Sequence, residues 1–424
     1  MATILIIVFI LGYLAIATEH SIKIDKAASA LVTGVLCWTV YALNATDVHE
    51  VNHQLSEHLG EISGILFFLL GAMTIVELID AHDGFQIITE RITTRKATHL
   101  LWILGLITFF LSAVLDNLTT TIVILSILRK LVQNREKRLF FAGVTVIAAN
   151  AGGAWSPLGD VTTTMLWIGN QISAMNIMQQ LLLPSLVCLL APLAYISFRL
   201  KGQVLSAPAP LDVTDTTPSH RNLVFGIGIF ALLSVPVFKT YTHLPPFMGM
   251  LLGLGFTWVL TELIHSGKDS EDKHNLTVVY ALRKIDTPSI LFFLGILVSI
   301  SALQATGILA GMANWLSLTI ANDSIIVMSI GLLSAVVDNV PLVAAVQGMY
   351  SLEQYPTDHF FWEFLAYATG TGGSCLIIGS AAGVAAMGIE EIDFFWYIKK
   401  ISWLALLGYF AGAAAYILQY QLLH

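Results

Sequence analysis

The run Asn150-Ala-Gly-Gly-Ala-Trp-Ser-Pro-Leu-Gly-Asp-Val-Thr-Thr-Thr164 is the most informative stretch of the chain. It interrupts an apolar segment with residues that break a helix, and it places Asp160 at the interruption. At membrane depth, irregular backbone is tolerated only where it packs within protein or lines a cavity. An ionisable side chain at such a place is a functional hypothesis by default. The run therefore predicts a broken transmembrane helix beside an ion site.

The composition of the whole chain indicates the membrane setting. Hydrophobic residues make up 56% of the 424 residues and charged residues 11%, whereas a soluble domain carries about 25% charge. This deficit excludes a soluble globule and a disordered chain, and the net charge of −8 leaves no basic face for nucleic acid. The three cysteines lie in apolar runs and fit neither a disulfide framework nor a metal site. We expect an all-α polytopic protein of the lipid bilayer.

Apolar runs predict eight spans, because a crossing takes about 17–25 apolar residues. They are Ile4–Thr18, Ala27–Leu43, Ile62–Ile79, Leu181–Phe198, Leu223–Phe238, Pro246–Ile264, Ser289–Leu309 and Ser402–Leu422. The first is short and open to interpretation as a signal peptide, but it lacks a basic start and a clear cleavage site, so we keep it as a span.

Positive charge predicts the orientation of these spans. Nineteen of the 20 Lys and Arg residues fall on segments that we assign to the cytoplasm, and Lys239 is left over. The segments assigned to the outside, which carry no Lys or Arg, are Ala45–Gly60, Asn170–Gln180, Ala310–Asn322 and Tyr350–Phe360. This positive-inside pattern places both termini outside.

The two halves of the chain resemble each other, which predicts an internal repeat over 1–221 and 222–424. The matching pairs, at offsets of 220–225, are Ile65–Gly71 with Ile290–Gly295, Asp116-Asn117 with Asp338-Asn339, Gly152-Gly153 with Gly372-Gly373, and Gly159-Asp160 with Gly379-Ser380.

Each repeat is predicted to contain a re-entrant helical hairpin. Leu118–Leu128 and Val340–Met349 have 11 and 10 residues, about 16 and 15 Å as helix, and the hydrocarbon core is about 30 Å thick. We expect hairpins over Thr98–Leu131 and Ser324–Met349, with their tips near mid-membrane. Basic residues flank the first hairpin and not the second, so the two enter from opposite faces. Inverted repeats with discontinuous helices are typical of secondary transporters.

Oxygen-bearing side chains at the hairpin tips and helix breaks form the candidate site. The predicted sodium and proton ligands are Asp116, Asn117, Thr119, Thr120, Asn150, Asp160, Thr162, Thr163, Asp338 and Asn339. Such a set suits a hard cation such as Na⁺ or Li⁺ rather than Zn²⁺ or Cu²⁺. Because burial favours the protonated form of a carboxyl group, H⁺ and Na⁺ would compete for the same oxygens. No cofactor is expected.

Purely structural roles stay open for several of these residues. Asp116 and Asp338 could be N-caps of the second hairpin arms. The four threonines could bond back to carbonyls of their own helices.

Two motifs resemble the ion transporter superfamily, and its NhaD-type sodium/proton antiporters in particular. They are Ser112–Thr121 and Ala149–Trp167, and the resemblance extends from about Ile62 to Ala414. It implies a homodimer in a bacterial inner membrane that exchanges cytoplasmic Na⁺ or Li⁺ for external H⁺ by an elevator-like movement. It also implies a scaffold domain that dimerises and a transport domain, which are interleaved across both repeats. Because Gly379-Ser380 stands where the first repeat has Gly159-Asp160, we expect an asymmetric site with ion binding weighted to the first repeat.

Other functions are weaker interpretations. An oxyanion or arsenite permease of the same superfamily is the main alternative, but those branches usually have a Pro-Pro-Asn type sequence where Val161-Thr162-Thr163 stands here. The carboxylates at the tips also disfavour an anion. We do not expect an enzyme, since no nucleophile–base pair, metal-ligand cluster or phosphate loop lies at depth. A channel would not need an inverted duplication.

Overall fold

Helices make up almost all of the computed structural model, which describes residues 1–92, 94–205, 217–265, 276–320 and 322–423. In chain order they are α1 (Ala2–Ala17), α2 (Glu19–Ile22), α3 (Lys26–Asn44), α4 (Val48–Ala81), α5 (Gln86–Thr89), α6 (Ala97–Leu115), α7 (Asn117–Leu131), α8 (Arg135–Gly153), α9 (Val161–Ile168), α10 (Ala174–Arg199), α11 (Pro218–Thr242), α12 (Pro246–Ile264), α13 (Val278–Lys284), α14 (Thr287–Ala305), α15 (Ile308–Ile320), α16 (Asp323–Leu333), α17 (Asn339–Met349), α18 (Phe360–Gly372), α19 (Ala381–Glu390), α20 (Phe394–Tyr397) and α21 (Trp403–Leu423).

Eight of the described helices are long and apolar enough to cross a membrane, which confirms the polytopic all-α prediction. They are α3, α4, α6, α10, α11, α12, α14 and the continuous helix Phe394–Leu423, which contains α20, the π turn Ile398–Ser402 and α21. Large apolar side chains point outward along them: Leu43 is 81% exposed and Phe198 is 82% exposed. In a bilayer these side chains face lipid tails, so their exposure carries no penalty.

Two groups of helices pack tightly outside the hairpins. Helix α3 runs alongside α14, where Trp38 Nε1 donates to the Val298 carbonyl at 2.9 Å. A Cβ on Gly295 would lie 2.4 Å from the Ala30 carbonyl carbon, so the two helices approach closely there. Helices α4, α11 and α12 form the second group, in which Gly228 faces the Ile79 side chain. Small residues at such crossings are typical of membrane helix packing.

The internal repeat is present in the structure as a pair of equivalent contacts. A Cβ on Gly152 would lie 2.2 Å from the Phe109 carbonyl oxygen, and one on Gly372 would lie 1.9 Å from that of Gly331. Hydrogen bonds follow the same pattern: the Ser112 hydroxyl donates to the Ala149 carbonyl at 2.6 Å, and the Ser334 hydroxyl donates to the Thr369 carbonyl at 3.1 Å. The first hairpin arm therefore contacts the broken helix in the same way in both repeats.

The first hairpin has both of its ends near the C-terminal end of α10. At the start of α6, Trp102 Nε1 donates to Ser197 Oγ at 2.7 Å. At the end of α7, the Val132 carbonyl accepts from Arg138 Nη1 at 3.2 Å, and the adjoining Lys137 lines a cleft together with Arg199 of α10. Helices α6 and α7 therefore run antiparallel from one face, as predicted for Thr98–Leu131.

The second hairpin has its ends near the N-terminal end of α10. Asp323 at the start of α16 accepts from the Tyr355 hydroxyl at 2.9 Å, and the Tyr355 carbonyl accepts from Trp362 Nε1 at 2.8 Å. The next residue of α18, Glu363, accepts from Asn176 of α10. Because α10 has 26 residues, about 39 Å of helix, the two hairpins start from opposite faces and the repeats are inverted.

One predicted span differs from the structure, and two segments predicted to be external are largely helical, which their assignment to a side of the membrane leaves open. Helix α1 has 16 residues, about 24 Å, and falls short of the core thickness of about 30 Å. Most of the predicted external segment Ala45–Gly60 is helical, because Asp47 caps α4 and the helix runs for 34 residues. The predicted external segment Ala310–Asn322 is also largely helical, as α15, which meets α16 at 119°.

Candidate functional site

Four helices begin directly after the breaks in the two hairpins and in the two discontinuous helices. Each is capped by the preceding side chain through a backbone N–H: Asp116 accepts from Thr119 at 2.8 Å, Asp160 from Thr162 at 2.8 Å, Asp338 from Val340 at 3.2 Å and Ser380 from Gly383 at 3.1 Å. The capping role considered from the sequence is therefore present. A cap needs no charge, however, and the three carboxylates also face the positive ends of helix dipoles.

Asp160 lies at the centre of a buried polar network that joins both hairpin tips. Asn117 Nδ2 of the first tip donates to Asp160 Oδ2 at 2.6 Å, and Asn339 Nδ2 of the second tip lies 3.4 Å from both carboxylate oxygens. Thr162 adds its hydroxyl to Oδ1 at 2.7 Å. All of these donors are neutral, and Asp160 itself is 2% exposed.

Asn150 extends this network to the second repeat. Its side-chain oxygen Oδ1 accepts from Asn117 Nδ2 at 3.0 Å. Its side-chain nitrogen Nδ2 donates to Ser374 Oγ at 2.9 Å and to Ser380 Oγ at 2.8 Å. Ser380 stands where the first repeat has Asp160. The second repeat therefore contributes hydroxyl oxygens at this place, in agreement with the expected asymmetry.

Asp116 lies at the first hairpin tip in a strained backbone conformation. Its φ of 80° and ψ of 158° fall in a region that is essentially restricted to glycine, at a cost of about 1–3 kcal/mol. This conformation turns the chain within one residue between α6 and α7. The carboxylate bonds locally, accepting from the Thr119 N–H and, at 2.8 Å, from the Thr119 hydroxyl.

The four predicted threonines differ in the hydrogen-bond partners of their hydroxyl groups. Thr119 and Thr162 donate to the two aspartates, whereas the Thr163 hydroxyl bonds back to the carbonyls of Ser156 and Asp160 at 2.7 and 2.8 Å. Thr120 Oγ1 is buried and has no hydrogen-bond partner among the described residues. A buried hydroxyl of this kind remains available to a ligand or to an ordered water.

Asp338 lies at the second tip and pairs with a cation outside this network. Its carboxylate is 3.9 Å from the Lys26 ammonium at the start of α3, and both side chains are partly exposed. The same ammonium lies 4.5 Å from the centre of the Phe292 ring on α14. The structure thus pairs the second tip with a lysine of another helix group.

Two residues of this arrangement were missed in the sequence. Lys26 had been assigned to a cytoplasmic segment, and nothing in its neighbourhood along the chain points to the hairpin 312 residues away. Ser374 lies in the glycine-rich stretch Thr369–Ser374, whose composition indicated a break but not a ligand. The match of that stretch to the Asn150 motif was the available signal.

The network is a buried negative centre with neutral donors. Within the described residues, neither Asp116 nor Asp160 forms an ion pair with Lys, Arg or His. A buried carboxylate without a cationic partner is costly. A proton or a small cation would remove that cost, and the surrounding carboxylate, amide and hydroxyl oxygens are hard ligands.

A cavity approaches the network from the side predicted to be external. It has a volume of about 350 Å³ and lies between α4 and α14 on one wall and α9 and α17 on the other. Met165 and Ala344 line it one to two helical turns beyond Asp160 and Asn339, and Glu61 and His58 line its outer part. On another side, Phe68, Leu232 and Met250 close around Asp116 and leave only about 20 Å³.

Comparison with known proteins gives one family and several relatives. The family model described as "Citrate transporter" (CitMHS) matches residues 6–372. Sodium/proton antiporters 1 and 2 of Arabidopsis thaliana are 51% and 50% identical to the chain; the alignments cover 98% and 97% of this chain and 72% and 98% of those proteins. The Na(+)/H(+) antiporter NhaD of Vibrio cholerae serotype O1 is 29% identical, over 97% of this chain and 91% of that protein.

A solved structure shows the same fold. The YdaH transporter of Alcanivorax borkumensis superposes with a TM-score of 0.54 over 88% of this chain and 89% of that one, at 12% identity. Its crystal structure is described as revealing an unusual topology. At this identity the similarity concerns the fold alone.

Proposed function

This chain belongs to the citrate transporter (CitMHS) family, and we propose that it is a secondary active antiporter that exchanges Na⁺ or Li⁺ for H⁺. Relatives named as sodium/proton antiporters support this function, and they indicate a transporter rather than an enzyme. The eight long apolar helices agree with a multi-pass membrane protein. The observation that carries the proposal is the buried Asp160 carboxylate, whose hydrogen-bond donors are all neutral.

The exchange follows from competition at that carboxylate. Na⁺ would bind to the Asp160 oxygens together with oxygens of Asn117, Asn150, Asn339 and Thr162, and it would leave when a proton takes the same carboxylate. Binding Na⁺ requires the Asn117 and Asn339 amides to rotate, because they now present their nitrogens to Asp160. Asp116 supplies a second carboxylate at the adjoining tip. Cation and proton then use the site alternately, and no separate proton pathway is needed.

We propose that alternating access arises from relative movement of two groups of helices. The transport domain would contain the hairpins and broken helices, α6–α10 and α16–α21, and the scaffold would contain α1–α4 and α11–α15. The cavity of about 350 Å³ lies between these two groups and opens toward the side predicted to be external. An elevator-like sliding of the transport domain along the apolar residues around Asp116 would expose the site to the other side.

The remaining expectations stay proposals. The chain would form a homodimer through its scaffold, lie in a bacterial inner membrane with both termini outside, and take up external protons as it extrudes cytoplasmic sodium. Relatives that are about half identical to the chain also occur in the plant Arabidopsis thaliana.

An anion carrier is the competing function, since the family is named for citrate. Four helix N-termini at the site would suit an anion. The carboxylates of Asp116 and Asp160 oppose this, because like charges at short range in a low-dielectric site repel strongly. We therefore expect citrate to be excluded.

Proton-gradient dissipation in proteoliposomes tests the proposal. Vesicles carrying the purified protein and a proton gradient would receive NaCl, LiCl, choline chloride or sodium-free citrate between pH 7 and 9. We expect Na⁺ and Li⁺ to dissipate the gradient, whereas choline and citrate have no effect and protein-free vesicles respond to none. Citrate uptake without a cation-driven proton movement would instead support the anion carrier.

A further inference from the structure

A large cleft lies away from the ion site, at the end of the molecule where the first hairpin begins. It has a volume of about 980 Å³, at the upper end of the range of about 300–1,000 Å³ for ligand sites. Its walls are the start of α8, the end of α10 and the helix through the π turn Ile398–Ser402. Positive charge assigns this end to the cytoplasm.

The rim of the cleft is strongly basic. Lys137, Arg199, Lys399 and Lys400 line it together with one carboxylate, Glu136, which leaves a net charge of +3 from four cations and one anion. Within the described residues, none of these four cations forms an ion pair. Neighbouring arginines differ, because Arg129 and Arg138 both bind Glu390, at 2.7 and 2.8 Å. The cleft therefore holds four cations without an ion-pair partner among the described residues, whereas Glu390 neutralises two neighbouring arginines.

The wall of the cleft is aromatic and apolar. Tyr195 packs edge-on against Trp403 with ring centres 4.8 Å apart, and the Arg199 guanidinium lies 5.4 Å from the Tyr195 ring centre. Phe140, Ile196 and Leu404 continue this wall. Tryptophan and tyrosine collect at the headgroup level of bilayers, so the cleft combines a cationic mouth with an interior suited to hydrocarbon.

The π turn brings two of the cations into this cleft. Lys399 and Lys400 both belong to it, and Gly143 of α8 packs so closely against it that a Cβ would lie 2.5 Å from the Ile401 side chain. Single π turns within α-helices are frequent at functional sites. The close packing fixes both lysines beside α8 and α10.

We propose that this cleft binds an anionic phospholipid of the cytoplasmic leaflet, with the phosphate at the lysines and Arg199 and the acyl chains along the aromatic wall. Basic pockets between transmembrane helices on the cytoplasmic side suit such headgroups. The apolar wall and the volume favour a lipid over free phosphate. The site is independent of the proposed ion exchange, since none of its residues lies in the Asp160 network.

Native mass spectrometry of the purified chain, titrated with phosphatidylglycerol, cardiolipin or phosphatidylcholine, tests this proposal. We expect the two anionic lipids to bind in preference to phosphatidylcholine. The double variant Lys399→Gln/Lys400→Gln should weaken their binding by about 30-fold, because each charge near the surface contributes about fivefold. Inorganic phosphate at millimolar concentration should not displace them.

The matched control is Arg91→Gln/Arg95→Gln, which removes two charges from the same predicted face but outside the cleft. It should bind anionic lipid as the wild type does. An equal loss in both double variants, or displacement by phosphate, would overturn the proposal. Thermal unfolding in zwitterionic detergent without added lipid verifies that both variants are folded, and Lys399→Arg/Lys400→Arg should retain binding.

Discussion

The two hairpin tips have the same sequence, Asp-Asn, in different structures. In the first, Asp116 has a φ of 80°, and this single residue joins two helices. In the second, five residues join the helices, and Asp338 has an ordinary φ of −47°. Asp116 bonds to Thr119 of its own helix, whereas Asp338 faces Lys26 of another helix group. The asparagines that follow both turn toward Asp160.

The comparison shows which part of the duplicated unit is retained. Contacts made by backbone and small residues, such as those of Gly152 and Gly372, are equivalent in the two repeats. Charged side chains are not, because Asp160 is matched by Ser380 and, among the residues that the structure describes, the second tip alone has a lysine partner. The repeat supplies a symmetric frame of helix ends, and substitutions within it make one charged centre.

The largest expected effect comes from removing the charge of that centre. Asp160→Asn keeps the size and the N-cap but leaves the buried network neutral. A buried charged contact is worth about 3 kcal/mol or more, so sodium-dependent proton movement should fall by more than about 100-fold. Ser380→Ala, at the equivalent place in the second repeat, should lower the rate much less. Proton-gradient dissipation in proteoliposomes measures both.

A matched control for this change is Asp47→Asn. Asp47 caps α4 by accepting from the His49 N–H at 2.8 Å, the same geometry as Asp160 and Thr162, but at an exposed helix start. It should transport like the wild type. If the Asp160→Asn variant exchanged ions at the wild-type rate, Asp160 would not be part of the transport site.

The next effect concerns the symmetric frame. Gly152→Ala and Gly372→Ala would each place a Cβ about 2 Å from a carbonyl oxygen of the first hairpin arm. Overpacking of this kind costs about 1–3 kcal/mol, so both variants should unfold at lower temperature, by similar amounts. Tryptophan fluorescence during heating in detergent measures this. Gly255→Ala, on an open face of α12, should not lower the unfolding temperature, since alanine favours a helix more than glycine does, and a large difference between the two repeats would contradict the equivalence.

An intermediate effect separates the two tips. Asp116→Asn and Asp338→Asn both keep a capping side chain, so any loss reports the charge. A charged hydrogen bond contributes about 1.5–3 kcal/mol, and we expect Asp116→Asn to raise the sodium concentration for half-maximal exchange by about 10- to 150-fold. Asp338→Asn should raise it less, because its charge is already balanced by Lys26. The reverse order would place the second tip at the ion site.

The smallest effect on transport is expected from removing the ion pair between Lys26 and Asp338. Partly exposed ion pairs contribute about 0.2–1 kcal/mol, so Lys26→Gln should change the sodium dependence by about fivefold or less. A double-mutant cycle with Asp338→Asn measures the coupling. If the two changes add without coupling, the 3.9 Å contact has no energetic role during transport.

Much of the fold followed from sequence patterns with a direct physical basis. Apolar runs predicted the long spans, and the short arms after Asp116 and Asp338 predicted the hairpins because they cannot cross the core. The patterns left the conformation of Ala310–Asn322 open, since an absence of Lys and Arg indicates a side of the membrane and not a loop. The same reason explains the extension of α4 to Val48, where polar residues continue a helix beyond the bilayer.

Residue types and their order therefore determined an inverted pair of broken-helix repeats and predicted an all-oxygen site, because helix breaks, apolar length and charge asymmetry are local properties of a chain. The hydrogen-bond and ion-pair partners of each carboxylate could not be read from the sequence. Asp160 meets Asn339 across 179 residues, and Asp338 meets Lys26 across 312. Contacts between residues so far apart arise only when the helices pack, and packing directed one aspartate to the buried network and the other to a lysine.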